Sequence, residues 1–484
     1  MIIATVSTEL YRYEIHSLLK AFYPQETVKV FVGEPDRRKY PEPVYLSVEF
    51  SPSQISLTVH PDSRTVSAKA PEGISFDQKS VECKTALKHL LYDLLSELTG
   101  QALPWGELIG IRPTKIAMNR ITGGESPRET VRFMEEEYRV SPEKARLAVQ
   151  IAQREREILA DIHYENGYSL YVGIPFCPTT CLYCSFTSFP LASWKERVDE
   201  YLDKLQREMA ASAELMRGRI LDTIYIGGGT PTTLEPAQLE RLMNMIHQYF
   251  DVSRVQELTV EAGRPDSITR DKLRVLRENG VSRISVNPQS MHDETLRRIG
   301  RGHTVHQTRE AFELARKEGF DNINMDLILG LPQEREEHVQ STLAQIEELG
   351  PDDLTVHSLA VKRGSKLQKW IETNGFSSIR NTDLCMTMAA ESAGRMGMSA
   401  YYLYRQKNMS GNFENVGYAK PGRAGIYNIL IMEEKQSILA LGAGSISKGV
   451  FPGGRIERSD NCKDVTTYLE NVDEMILRKQ RLFG

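Results

Sequence analysis

From residue 167 onward, apolar runs of strand length alternate with stretches of ten or more residues at helical period, and no other feature narrows the fold as far. The runs expected as strands are 170–174, 223–226, 257–260, 283–286, 324–329 and 354–358. A helical stretch precedes each of them, which is the pattern of repeated βα units with right-handed crossovers and a parallel sheet. Six units fall short of a closed eight-strand barrel, so an open doubly wound sheet and a partial barrel both stay in play. Polar signals gather just after the strands, at the carboxyl ends where α/β proteins bind ligands.

A chain of 484 residues has room for about three domains. Residues 1–160 read as a separate small α+β module of unassigned role, with alternation from Val44 to Phe50 and from Ile55 to Val59 and helical patterns near 83–100 and 127–160. The segment from Gly110 to Lys115 carries two cations and reads as a loop with a solvated basic edge. Residues 165–375 form the α/β core, and 376–484 an extension whose apolar runs 427–432 and 437–441 are expected to pack on or close the sheet. With 60 basic and 65 acidic residues the formal charge is -5, so no global basic field exists to hold nucleic acid. No run approaches the roughly 18 apolar residues of a membrane span, and Glu9, Arg12 and Glu14 interrupt the start, so a cytoplasmic location is expected.

Six cysteines are too few for a disulfide framework, and Cys177, Cys181 and Cys184 crowd into one CxxxCxxC segment while the others lie apart. Soft thiolates are the ligands of iron–sulfur chemistry, and a 4Fe-4S cluster with three protein ligands leaves one iron free to chelate an amine and a carboxylate. A zinc site is the alternative, but it normally needs a fourth ligand, and no second CxxC knuckle is present. Phe176, Tyr183 and Phe186 would shield a cluster from water and oxygen. After the second strand come Gly227, Gly228, Gly229 and Thr230, where glycines let backbone approach a ligand closely, although a triple glycine by itself is only a turn. Glu261 and Arg264 end the third strand, as a surface ion pair or as site residues. Asp326 lies in an almost unbroken apolar run, where an acid needs a partner. His303 and His306 read as packing or solvent-facing side chains. The tyrosine stripe 400–404 is strand packing or, with Arg405, Lys407 and Arg423, an aromatic floor for a flat tetrapyrrole.

The cysteine spacing, with an aromatic before its last cysteine, resembles the motif of radical S-adenosylmethionine (SAM) enzymes. The flanks, Tyr171-x-x-Ile174-Pro-Phe-Cys177 and Cys181-x-Tyr-Cys184-x-Phe186, resemble the oxygen-independent coproporphyrinogen III dehydrogenases (oxidases) and their relatives, which include a haem chaperone and several methyltransferases. The likeness covers about residues 168–450, and the N-terminal module looks most like the HemZ-like branch. It implies a partial (β/α)6 TIM-type barrel with an N-terminal α+β module and a C-terminal α+β extension. It implies a 4Fe-4S cluster on Cys177, Cys181 and Cys184, and one or two SAM molecules contacted by Tyr171, Tyr183, Gly228, Gly229, Thr230, Glu261, Gln289, Arg301, Asp326, Ala360 and Ile446. In that pattern the glycines take the SAM amino group, Glu261 faces SAM, Gln289, Arg301 and Asp326 reach its ribose or carboxylate, and Ala360 and Ile446 touch it through backbone or apolar surface. The implied reaction is oxidative decarboxylation of two propionates of coproporphyrinogen III to vinyls, by way of a 5'-deoxyadenosyl radical, giving protoporphyrinogen IX in haem biosynthesis. The implied reductant is flavodoxin or ferredoxin; a haem chaperone and a radical methyltransferase or haem-degrading enzyme are the alternatives. Most relatives carry Asn-Pro where this chain has Gly263-Arg264-Pro265, and Arg264 is expected to pair with a substrate carboxylate.

Overall fold

The computed structural model describes residues 1–110, 112–362, 365–375, 378–406 and 409–484. The chain falls into two compact units, Met1–Gln150 with Arg405–Glu414, and Ile151–Tyr404 with Asn415–Gly484.

The first unit is built on strands β1 (Ile2–Val6), β2 (Val28–Val32), β3 (Leu46–Ser51), β4 (Gln54–Val59) and β5 (Arg64–Lys69), in the order β2-β1-β3-β4-β5. Strand β1 runs parallel to β2 and β3, and β3 to β5 form an antiparallel meander. Helices α1 (Arg12–Phe22) and α2 (Val81–Thr99) bury Ile15, Leu18, Leu87, Leu91 and Leu95 in one core with Leu46, Val48, Ile55 and Leu57 of the sheet. The segment read as a basic loop gives way at Thr114 to α3 (Thr114–Thr122); its Ile111 lies outside the described residues. The helical pattern expected over 127–160 is two helices, α4 (Pro127–Tyr138) and α5 (Pro142–Ile158), because Arg139 turns left-handed at φ 55° and stops the first. Segment 405–414 belongs to this unit through Glu414, which accepts from Trp105 Nε1 at 2.7 Å and Lys144 Nζ at 2.6 Å.

In the second unit all six expected strands are present: β6 (Gly167–Ile174), β7 (Ile220–Gly228), β8 (Glu257–Glu261), β9 (Arg283–Ser285), β10 (Ile323–Leu329) and β11 (Asp353–Ser358). They are parallel and lie side by side in chain order. That order decides between the two expected architectures. A doubly wound sheet reverses its strand order, whereas a sequence of right-handed crossovers that never reverses keeps its helices on one face and curls the sheet into barrel wall. The crossovers carry α6 (Val198–Leu215), α7 (Pro236–Tyr249), α8 (Arg270–Glu278), α9 (Asp293–Arg298), α10 (Val305–Lys317) and α11 (Glu336–Leu349). After β11 come α12 (Lys366–Asn374) and α13 (Asp383–Arg395), then β12 (Ser399–Tyr404) and β13 (Asn415–Ala419), which extend the sheet antiparallel beyond β11. The apolar run 427–432 is helix α14 (Ile426–Glu433), and 437–441 is strand β14 (Ser437–Leu441), parallel to β6 at the other edge. Two antiparallel strands, β15 (Ile446–Val450) and β16 (Ile456–Asp460), follow it.

The last helices, α15 (Val465–Glu470) and α16 (Val472–Phe483), are pinned to α6 by a fully buried ion pair, Lys479 Nζ to Glu208 Oε1 at 2.6 Å. Such a pair is tolerated only when its spare lone pairs and protons are used. Here Glu208 also accepts from Tyr468, Asn461 and the Gly442 amide, and Lys479 donates to Asn461 Oδ1. The tyrosine stripe is core packing: Tyr401 and Tyr402 are buried in an apolar cluster with Ile429 and Leu430. Its supposed cations have other partners, since Arg405 is buried and bonded to Asn412 and Arg423 pairs with Asp321, while Lys407 lies outside the described residues. No described helix is long and apolar enough to cross a membrane.

Candidate functional site

The residues singled out from sequence follow one end of the parallel sheet. The cysteine loop leaves the carboxyl end of β6, the glycines end β7, Glu261 is the last residue of β8, and Gln289 follows β9 by a short link. Asp326 sits within β10, and Gln289 bridges to its neighbour Leu327. Ala360 lies two residues beyond β11, half-buried, and Ile446 opens β15 after the turn that ends β14.

The triple glycine has a separate steric reason at each position. A Cβ on Gly229 would stand 2.6 Å from the Phe176 carbonyl oxygen and 2.9 Å from its nitrogen, so the two loops meet backbone to backbone. The Gly229 and Thr230 amides complete that seam, donating to Ile174 O at 2.8 Å and Phe176 O at 2.7 Å. Gly228 has φ +109°, a conformation side chains avoid, and Gly227 faces Glu261, whose carboxyl carbon would lie 2.9 Å from an added Cβ.

Cys177 is held beside the seam, its Sγ 3.3 Å from Thr230 Oγ1. Burial pushes its thiol up to about 11 despite help from Thr230, and burial likewise raises Cys184, whose Sγ is 3.9 Å from Ser188 Oγ. Thiols raised by burial stay protonated at neutral pH unless a cation replaces the proton. Between them the loop is tied down by Leu182 N donating to Ile299 O at 2.9 Å and Thr179 Oγ1 donating to Gly300 O at 2.9 Å. Among the described residues no three His, Cys, Asp or Glu side chains converge to hold a single metal ion. In a cubane each thiolate binds a different iron, so its ligands stand further apart than around one ion. Of the aromatics expected to shield the loop, Phe176 is fully buried against Trp194 and Tyr201, and Tyr183 packs on the apolar cluster of Leu296 and Ile299. Phe186 does not fit the expectation: it is 76% exposed and shields nothing.

Glu261 faces the glycines and accepts from Tyr225 Oη at 2.6 Å. Burial outweighs the bonds from Tyr225 and the Gly228 amide and, with nearby Asp326, lifts its carboxyl to about 7. Tyr225 in turn clusters with Tyr427 and Tyr171, with ring centroids 4.5 and 6.2 Å away, and Tyr171 and Tyr427 are 6.2 Å apart, all three planes within 22° of parallel. Burial likewise drives the Tyr171 hydroxyl far up, so it remains a neutral hydrogen-bonding group.

Gln289 adopts φ +68°, and its amide donates to Asp326 O at 2.9 Å. Its Oε1 is buried without a hydrogen-bond partner, and so is Arg301 Nε. Arg301 Nη1 reaches the Gly263 carbonyl at 3.2 Å and that of Asn287, and its guanidinium lies against Tyr183 and Cys181. Burial opposes the charge on Arg301, but Tyr183 and Cys181 more than offset it. Asp326 accepts from Asn324 Nδ2 at 2.7 Å and has His357 Nε2 at 3.8 Å. Burial disfavours its charge, yet His357, Asn324 and Arg283 hold its carboxyl below the ordinary range. Buried polar atoms without partners, beside a glycine cradle at the strand ends, are what a polar ligand would satisfy.

Sequence reasoning missed Tyr225, Tyr427, Asn287 and His357. Tyr225 was legible, since period-two alternation sets it on the face of Gly227. Tyr427 arrives from α14 and His357 from β11, so nothing local marks them. Arg264 is corrected: it is 3% exposed and forms a two-point pair with Asp266 of its own chain at 2.9 and 2.7 Å, so it does not face a substrate. Ile446 is 46% exposed.

Comparison with known proteins identifies the family. The family model of the Radical SAM superfamily matches residues 171–346. The oxygen-independent coproporphyrinogen-III oxidase-like protein HemZ of Bacillus subtilis is 39% identical over 83% of this chain and 82% of its own length. The heme chaperone HemW of the same organism is 40% identical, over 40% of this chain and 51% of itself. The solved coproporphyrinogen III oxidase (HemN) of Escherichia coli, a radical SAM enzyme, superposes with a TM-score of 0.52 at 25% identity, over 66% of this chain and 72% of that one. With its partial barrel and the cysteine loop on the first strand, the chain belongs to the radical SAM superfamily and, within it, to the HemZ-like oxygen-independent coproporphyrinogen III oxidase family.

Proposed function

We propose that this chain is an oxygen-independent coproporphyrinogen III dehydrogenase, acting in the cytoplasm on two propionates of its substrate to give protoporphyrinogen IX. One observation carries the reading: the cysteine loop, glycine seam, Glu261 and Gln289 lie at or just past the carboxyl ends of four consecutive strands, Arg301 and Asp326 bond to the links there, and buried polar atoms of Gln289 and Arg301 are left over for a ligand. The residues fit the two cofactors. Cys177, Cys181 and Cys184 would hold a 4Fe-4S cluster through deprotonated thiols, and because burial raises the Cys177 and Cys184 thiols, loading them releases protons. Together the bound cluster and SAM supply a 5'-deoxyadenosyl radical, the agent of hydrogen abstraction from a propionate. The protein positions and shields. Carbonyls of the glycine turn accept from the SAM amino group, flanked by Tyr171, Tyr183 and Thr230. Glu261, oriented by Tyr225, and Asp326, oriented by Asn324, accept from hydroxyl or ammonium groups, while Gln289 and Arg301 bind the remaining polar atoms. Ala360 and Ile446 add backbone and apolar contact. Flavodoxin or ferredoxin would deliver the electron.

Anaerobic turnover of the reconstituted protein with coproporphyrinogen III, SAM and a reductant tests this. Vinyl product formed with 5'-deoxyadenosine and CO2 is expected. SAM cleavage without a vinyl product overturns it, and stoichiometric haem binding without SAM cleavage would match the chaperone-named relatives instead.

A further inference from the structure

The middle of the cysteine loop is tied to the rest of the barrel by a residue that has no part in the proposed SAM contacts. Arg264 lies just past β8, and its guanidinium divides its donors between two partners. Nε and Nη2 go to the Asp266 carboxylate at 2.9 and 2.7 Å, and Nη1 goes to Thr179, at 3.2 Å to the carbonyl and 3.0 Å to Oγ1. Thr179 stands midway between Cys177 and Cys181, and its side chain is exposed. It is therefore held not by packing but by these bonds and by its own donation to Gly300 O at 2.9 Å. Arg264 is itself fixed: it is almost fully buried, and its carbonyl accepts from Ser267 Oγ at 2.7 Å. A planar guanidinium gripped on one edge by a carboxylate has its other donors aimed in one direction, which a lysine could not reproduce.

We infer that Arg264 is a positioning residue for the iron–sulfur centre, acting through Thr179 to preset the CxxxC arc so that Cys177 and Cys181 meet the cluster in the right places. This rests on the reading that Cys177, Cys181 and Cys184 carry the cluster. Partners that orient metal ligands typically change metal affinity by about 10- to 100-fold when removed. Thr179→Val deletes the hydroxyl on the exposed side and leaves the Arg264–Asp266 pair whole, whereas Arg264→Gln removes the clamp itself.

The test reconstitutes wild type, T179V, R264Q and the double variant anaerobically, then follows first-order iron release to an excess of chelator and the electron paramagnetic resonance line shape of the reduced cluster. Release about tenfold faster in T179V and in R264Q, with altered line shapes, is expected, and the double variant should fall well short of the product of the singles because both changes break the Nη1–Oγ1 bond. Release and line shape in T179V unchanged from wild type overturn the inference, as does a double variant whose effect is the product of the singles. If R264Q fails to fold, R264K, which keeps the charge but not the fork, takes its place. A wild type that takes up no cluster defeats the underlying reading, while a loaded wild type with an indifferent T179V defeats only the clamp.

Discussion

Glu257 and Glu261 begin and end the same strand, β8, and meet opposite fates. Glu257, at the amino end, is satisfied entirely by the fold: its carboxylate takes the first amides of α14, Ile426 N at 2.6 Å and Tyr427 N at 3.3 Å, where a helix start favours negative charge. Beside it, Arg283 and Asp353 open β9 and β11 with a buried pair at 2.8 Å, and Tyr401 donates to the same aspartate at 2.8 Å. Glu261, at the carboxyl end, faces a glycine cradle, has a carboxyl lifted to about 7, and has buried Gln289 and Arg301 atoms without partners in its vicinity along the sheet. At the amino end charges pair with one another, although Arg283 Nε and Asp353 Oδ1 stay unpartnered; at the carboxyl end Glu261 faces a glycine cradle and no cation among the described residues pairs with it. On the proposed reading the chemistry sits on the carboxyl rim, opposite the paired charges of the amino rim, as in α/β barrels.

That division can be broken at four points. The largest effect is expected at Arg283→Met, which leaves Asp353 buried without its cation and should cost about 3–5 kcal/mol in chemical denaturation; a loss under about 1 kcal/mol would show that this rim is not structural. Next, Glu261→Gln should weaken SAM binding to the cluster-loaded protein by about 10- to 100-fold, the worth of a hydrogen bond to a charged group, with little change in melting temperature. Its pH behaviour sharpens the point. A carboxyl raised from 4.5 to about 7 binds more protons folded than unfolded, so its contribution to stability is full below pH 4.5 and is lost as pH rises through about 7. SAM affinity that depends on the carboxylate should run the other way, falling as pH drops through about 7, and both slopes should flatten in the glutamine variant. Third, Gly229→Ala forces a Cβ against the Phe176 backbone and should cost about 1–3 kcal/mol while lowering the iron content after reconstitution. The smallest effect is expected at Glu257→Gln, about 1 kcal/mol of stability with SAM affinity unchanged; a large loss of affinity there would erase the contrast with Glu261.

Much of this barrel was legible because its strands are buried on both faces and read as apolar runs between helices, and their order alone then separated the two candidate architectures. The polar breaks in those runs, Glu261 and Asp326, stood out for the same reason. What stayed hidden depends on chain returning from far away. Tyr427 completes the aromatic stack from a helix 202 residues beyond Tyr225, and the tyrosines of β12 proved to be core only once α14 covered them. Arg264 misled because composition shows a cation but not its partner; only folding reveals that Asp266 and Thr179 consume its donors. Phe186 misled by proximity, since a residue two places from Cys184 can still point to solvent.

The most direct measurement is Mössbauer spectroscopy of the anaerobically reconstituted chain beside a variant with Cys177, Cys181 and Cys184 all replaced by alanine, each with and without SAM. The account predicts a 4Fe-4S signature in the first, with one iron site altered by SAM, and no such signature in the second. A cluster that survives loss of all three thiols, or one whose irons ignore SAM, would contradict it.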